Sequence, residues 1–389
     1  MIPELKLRRN AGYRLSKGHL WVFSNELESI PSLEPGTVVS LKSDKGKGLG
    51  LAFFNPRTLI ALRLLNTNEV PDKEFFRKRI EKALELRLAF FEKKGSFRLV
   101  FGESDYLPGL VIDKYNEHFV MQIHSAGMEY MSGMIVGALL DLFPETKSIC
   151  TKHDSRLREM EGLSPEDNVL YGQPAITKYY DEGIDFRIDL TGGQKTGFYL
   201  DQRYNRHFLK NISKGKSVLD CFTNQGGFAL NAAFAGASII KAVDSSEDAL
   251  TIAEENALMN GFKNIEFISS DVFDFLDNEQ KERNRYDIVV LDPPAFAKSK
   301  KNIPQAAAAY TKLNRDAAKL VNEGGYLCTS SCSHHVGEND FSEAVSAGIK
   351  KAGRQGQLVY KGHHPHDHPA HPAMPETFYL KFLVFRILS

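Results

Sequence analysis

The chain has 389 residues, 42% hydrophobic and 25% charged, with 49 Lys and Arg balanced against 49 Asp and Glu. That is enough for two or three domains with their own cores, and zero net charge means that any contact with nucleic acid has to rest on local charge. No apolar run approaches the roughly 18 residues of a membrane span, and the N-terminus is polar from residue 4 onward. The four cysteines (Cys150, Cys221, Cys328, Cys332) form no C-x-x-C pair, so a cysteine-built metal site is not expected and reduced thiols in the cytoplasm are.

Residues 1–20 carry Lys6, Arg8, Arg9, Arg14 and Lys17 against the single acid Glu4. Strand-like runs follow at Trp21-Val22-Phe23 and Thr37 to Leu41, and Gly46, Gly48 and Gly50 beside Lys45 and Lys47 predict a tight basic hairpin. Residues 1–70 therefore read as a small β-rich barrel with one basic edge, on which Arg8, Arg9, Arg14 and Lys17 would meet phosphates. From Pro71 to Lys94 the pattern changes to a helix rich in Lys, Arg, Glu and Leu, whose charges read as a solvated face. Short strands near 98–102, 109–114, 119–123 and 148–152 and a helix near 128–142 complete an α+β region over 71–180. Glu182-Gly183, flanked by strand patterns, predicts a hairpin leading into a third domain, 181–389.

That third domain carries the chemistry. Asp220, Asp244, Asp271 and Asp292 each close or just follow a short apolar strand, and helical patterns such as Asp248 to Leu258 separate the strands. The alternation implies a parallel, doubly wound sheet with its ligand at the carboxyl ends of the strands. After the first strand come Phe222, Asn224, Gly226 and Gly227, a loop that lets backbone approach a nucleotide-like ligand. Asp244, followed by Ser245, stands about 20 residues further on, where a carboxylate accepts both hydroxyls of a ribose. The spacing D-x-F-x-N-x-G-G is not the dehydrogenase fingerprint G-x-G-x-x-G.

These residues, with Asp271-Val272 and Asp292-Pro293-Pro294, resemble class I S-adenosylmethionine-dependent methyltransferases. Gly192 to Arg203, Asp292 to Phe296, Ser331-Cys332-Ser333 and Pro375 to Lys381 resemble the large-subunit ribosomal RNA cytosine-C5 methyltransferase family. Arg14, Lys17-Gly18-His19 and Trp21-Val22-Phe23 resemble the entry to a PUA module. The match runs along nearly the whole chain. It implies a fold of three parts: a small PUA-like β-barrel, a small α+β middle domain and a Rossmann-like class I α/β methyltransferase domain. It also implies S-adenosyl-L-methionine as cofactor, ribosomal RNA as partner and a homodimer as the working form.

Methylating carbon 5 of cytosine requires a nucleophile to add at carbon 6 first, because the aromatic ring is a poor nucleophile. Cys328 lies within an apolar strand and reads as core. Cys332 falls where that strand runs out and, by resemblance, matches the nucleophile. Asp292 is placed to hydrogen-bond N3 of a flipped cytosine, and Phe296 or Tyr310 to stack on it. Lys195, Asp201 and Arg203 are expected near the cofactor or the flipped base, with a helix N-cap at Asp201 as the plainer alternative. The histidines of His363 to His371 are interrupted by prolines and read as an irregular loop; no metal is expected. Two other functions stay open: methylation of another position such as guanine N7, which needs no thiol, and a non-catalytic RNA-binding assembly protein.

Overall fold

The computed structural model describes residues 2–191, 197–297 and 299–389. The chain forms two compact units. One comprises Met1–Tyr179, Ile188–Phe198 and His366–Thr377, the other Tyr180–Arg187, Tyr199–Pro365 and Phe378–Ser389.

The first unit holds two sheets. Strands Glu4–Lys6, Trp21–Phe23, Thr37–Lys42, Gly48–Phe54 and Ile60–Leu64 form a five-stranded sheet around a core that includes Val22, Val39, Phe54 and Leu62. The expected hairpin closes with Ser43 N donating to Lys47 O at 2.8 Å, and Gly46 takes φ 81°, a left-handed conformation that glycine adopts without steric cost. The second sheet runs from Phe97–Phe101 to Val169–Gly172, and helices Lys73–Leu88 and Ser132–Leu142 contribute to its core through Phe76, Ile80, Ile135 and Leu139. Asp72 caps the first of these helices by accepting from Phe75 N at 2.8 Å.

The second unit is built on a seven-stranded sheet. Its strands are β1 (Ser217–Cys221), β2 (Ile239–Asp244), β3 (Ile265–Ser269), β4 (Tyr286–Leu291), β5 (Val321–Ser331), β6 (Gln355–Gly362) and β7 (Lys381–Leu388). Their order is β3-β2-β1-β4-β5-β7-β6, with only β7 antiparallel to its neighbours. Alternate residues feed two cores. Leu219, Cys221, Val289, Leu291 and Leu327 face one layer, and Val218, Ile288, Val290 and Cys328 the other. Burial on both faces is why these strands read as nearly continuous apolar runs. This is the Rossmann-like α/β architecture expected from the sequence. The hairpin Ile176–Asp181 and Ile184–Asp189 also forms, turning on Glu182 (φ 44°) and Gly183 (φ 97°).

Candidate active site

The acids at the strand ends line up because the parallel registers bring those ends level. Asp220 pairs with Ala242 of β2 and Val290 of β4, and Asp244 pairs with Ser269 of β3. The loop after β1 is tightly wound. Phe222 (φ 63°), Asn224 (φ 51°) and Gly226 (φ 81°) all adopt left-handed backbone conformations. For the two non-glycine residues this costs on the order of 1–3 kcal/mol each, a strain typical of ligand-binding loops. Gly226 has no room for a side chain, since a Cβ there would lie 2.5 Å from Leu230 Cδ1.

Two carboxylates hold this loop. Asp244 Oδ2 accepts from Asn224 N and Oδ1 from Ser246 N, each at 2.9 Å. Asp220 is fully buried, and its Oδ2 accepts from Thr223 Oγ1 at 2.6 Å and Ala229 N at 2.9 Å. Its Oδ1 is buried without a hydrogen-bond partner among the described residues. Burial lifts the Asp220 carboxyl to about 7 against these two hydrogen bonds, with the Asp292 and Asp244 charges adding to the rise. An orphaned buried acceptor, a strained loop that opens a helix at Gly227, and a partly exposed carboxylate at the end of β2 fit a nucleoside-bearing cofactor such as S-adenosylmethionine. Ser245 is exposed beside Asp244, Val272 is buried, and Asp271 caps the helix Val272–Lys281 by accepting from Phe273 N and Asp274 N.

A second cluster lies across the ends of β4 and β5. Asp292 follows β4 directly, and its N–H donates to Cys221 O at 3.3 Å. Its Oδ1 takes two donors, Gln202 Nε2 at 2.8 Å and Ser330 Oγ in a short contact. Gln202 is itself held by Asn205 Nδ2 at 2.7 Å. Burial lifts the Asp292 carboxyl to about 6, opposed by the Ser330 hydrogen bond and reinforced by the Asp201 charge. Cys332 is the first residue but one after Ser330, just past β5. It is partly exposed, with Sγ 3.9 Å from Pro293 O. Burial pushes its thiol up to about 12, and the charges of Asp292 and Asp201 push the same way. Cys328, by contrast, is wholly buried in the core of β5.

Lys381 flanks the cysteine. Nearly buried, it pairs across the sheet with Ser331, and its ammonium donates to Ser333 O and Tyr379 O at 2.7 Å each. Burial lowers it to about 8. Asp201 does not cap a helix. It sits in a 3-10 turn, Leu200–Gln202, and its Oδ2 accepts from Tyr379 Oη at 2.7 Å.

Other expected residues are placed differently. Tyr310 is fully buried and donates to Ser331 Oγ at 2.8 Å, so it is not available to stack on a base; Phe296 packs on it with ring centroids 4.8 Å apart. Arg203 is buried with its Nε 3.8 Å from Asp181, in an ion cluster with Arg206 and His207. Lys195 lies outside the described residues. At the N-terminus, Arg14 is paired with Glu26 at 2.8 Å and stacked over Phe23; Arg8, Arg9 and Lys17 are exposed, and Arg8 donates to Leu27 O. The histidines do not converge. His364 accepts from Leu380 N, His366 stacks on Phe90, His368 contacts Asp367, and His371 accepts from Ala373 N. Among the described residues no group of three or more His, Cys, Asp or Glu could hold a metal ion.

The sequence reading missed Gln202 and Ser330, the two residues that fix Asp292. Gln202 lies inside the Gly192 to Arg203 motif but carried no role there, and the two contacts with Asp292 span 90 and 38 positions.

A family model described as S-adenosylmethionine-dependent methyltransferase matches residues 164–386, and a PUA-like domain model matches residues 5–67. The chain is 38% identical over 400 residues to the ribosomal RNA large subunit methyltransferase I of Vibrio cholerae, covering 100% of both chains. It is 34% identical to the protein of the same name from Klebsiella pneumoniae, covering 100% of this chain and 99% of the relative. Among solved structures, a methyltransferase-fold protein from Streptococcus mutans aligns with a TM-score of 0.85 at 24% identity, over 99% of this chain and 100% of the other. With one family model covering more than half of the chain and relatives aligned along all of it, the chain belongs to the S-adenosylmethionine-dependent methyltransferases and is an enzyme of that family.

Proposed function

We propose that this protein methylates carbon 5 of a cytosine in large-subunit ribosomal RNA, through a covalent adduct to Cys332. The observation that carries this reading is the pairing of a partly exposed thiol with Asp292, at the adjacent ends of β4 and β5. Ribosomal RNA enters from the names of the full-length relatives. The reading divides the chain into a PUA-like part, 1–70, a middle part, 71–180, and the catalytic part, 181–389, working in the cytoplasm as a homodimer. No helix among the described residues is long and apolar enough to cross a membrane.

In this reading the strained loop Phe222 to Gly227, Asp220, Pro293, and the pairs Asp244-Ser245 and Asp271-Val272 hold the cofactor, with Asp244 accepting from the ribose hydroxyls. When bound, S-adenosylmethionine supplies an electrophilic methyl group. The chain's own residues prepare the acceptor. Cys332 adds to carbon 6, and the electron density that this places in the ring makes carbon 5 nucleophilic. Asp292, fixed through Oδ1 by Gln202 and Ser330, presents its other edge to N3 and steadies the ring as it takes up a proton. Phe296 borders the base.

The direct test is adduct trapping. RNA substituted with 5-fluorocytidine cannot lose the C5 substituent as a proton, so the wild-type protein is expected to form a denaturation-resistant complex with it. Cys332→Ala is expected to form none. An equal yield of complex from both proteins would refute the assignment.

Two further results are expected. Asp244→Ala removes a carboxylate acceptor, and calorimetry should show about 10- to 100-fold weaker cofactor binding. The double variant Arg9→Glu with Lys17→Glu should weaken RNA binding across unrelated sequences and flatten its salt dependence by about one to two units of log–log slope. Filter binding at several salt concentrations measures both effects.

A further inference from the structure

A cytosine methylated at C5 while bonded to Cys332 through C6 still carries its C5 hydrogen, and some group must take that proton before the enzyme is released. Among the described residues, the charged side chains that act on Cys332 include Asp292, Asp201 and Lys381. Lys381 is engaged, donating to Ser333 O and Tyr379 O. Asp292 is fixed through Oδ1 by Gln202 and Ser330, and its remaining edge serves the base in the reading above. Asp220 keeps an unpartnered Oδ1, but its Oδ2 is bonded to Thr223 and Ala229 within the loop after β1, which the reading above gives to the cofactor.

Asp201 combines an open oxygen with links to Cys332 and Asp292. Tyr379 Oη holds its Oδ2 at 2.7 Å, while Oδ1 is buried with no hydrogen-bond partner among the described residues. Two links bring it to the reaction centre. It adjoins Gln202, which grips Asp292, and it is tethered to Tyr379, whose carbonyl shares the Lys381 ammonium with the carbonyl next to Cys332. Its charge is felt at both Cys332 and Asp292.

We propose that Asp201 is the catalytic base that removes the C5 proton and so releases the methylated RNA. The step balances as a β-elimination. The C5–H bond breaks and its proton passes to Asp201 Oδ1. The electron pair of that bond forms the C5–C6 double bond. The C6–Sγ bond breaks, its pair returns to Cys332 as thiolate, and the proton leaves Asp201 for solvent. Tyr379 holds the carboxylate by one oxygen and leaves the other for the proton. The proposal rests on the Cys332 reading.

The test uses ribosomal RNA carrying tritium at cytosine C5, with the full-length protein and unlabelled cofactor. Wild type is expected to release tritium to water in step with methyl transfer. Asp201→Asn is expected to transfer about one methyl group per enzyme, retain the tritium and accumulate a denaturation-resistant RNA adduct, with turnover lowered about 100- to 10,000-fold. Asp201→Glu, which keeps a carboxylate, should recover part of the tritium release. Turnover of Asp201→Asn near the wild-type rate would overturn the proposal. So would loss of methyl transfer without any adduct, or an Asp201→Glu variant that binds cofactor yet behaves as Asp201→Asn does. Failure of the Cys332 reading is separately visible, because wild-type protein would then form no adduct with 5-fluorocytidine RNA, and the base assignment would fall with it.

Discussion

Replacing Cys332 with alanine is expected to lower methyl transfer by at least about 1,000-fold, because in the proposed mechanism it is the nucleophile, and loss of a nucleophile removes the whole covalent route. The thiol sits past the end of β5, and its hydrogen bond among the described residues is a weak one, to Pro293 O. Its removal leaves the loop after β1 and the β2 carboxylate untouched. Cofactor affinity should therefore stay within about twofold of wild type, and the melting temperature should fall only slightly for a small, partly exposed side chain. Steady-state kinetics with calorimetry on the same preparation check both halves. A variant that loses cofactor binding along with activity would mark Cys332 as a packing residue.

Asp292→Asn is expected to lower kcat/KM by about 100- to 10,000-fold, the usual range for a lost proton-transfer partner, and to change the pH profile. The sign follows from proton counting. In the free enzyme the thiol is pushed up to about 12 and the Asp292 carboxyl to about 6, so between these values the pair holds one proton, on sulfur. In the proposed mechanism, attack at C6 moves that one proton toward the base and Asp292. Below about pH 6 the carboxyl takes up a second proton, and the competent form is lost. The wild-type kcat/KM should fall tenfold per pH unit on that acid side and stay level above it. In Asp292→Asn this limb should vanish. Asp220, lifted to about 7 by burial, is present in both proteins and so does not account for a difference between them.

The parts of this site that were legible in the sequence are those set by local pattern. Strands buried on both faces wrote apolar runs ending at Asp220, Asp244 and Asp292, and the parallel registers aligned those ends. Strand phase also separated Cys328, inside β5, from Cys332, beyond it. What stayed hidden depended on contacts between distant positions. Gln202 and Ser330 are ordinary polar residues until the fold brings them to Asp292. The turn after β1 looked like the work of glycine, yet Phe222 and Asn224 also carry left-handed backbone. At the N-terminus, a charge count over residues 1–20 could not see Glu26, which neutralises Arg14 from just outside that window. Tyr310 looked available beside the prolines because its helical spacing does not show that the hydroxyl turns inward to Ser331.

The identity of the modified atom decides whether a thiol route is needed at all. Ribosomal RNA from cells lacking this protein, incubated with the protein and radiolabelled S-adenosylmethionine, should yield label in 5-methylcytidine when its nucleosides are separated and weighed by mass spectrometry. Label in any other nucleoside, formed as well by Cys332→Ala as by wild type, would contradict the account.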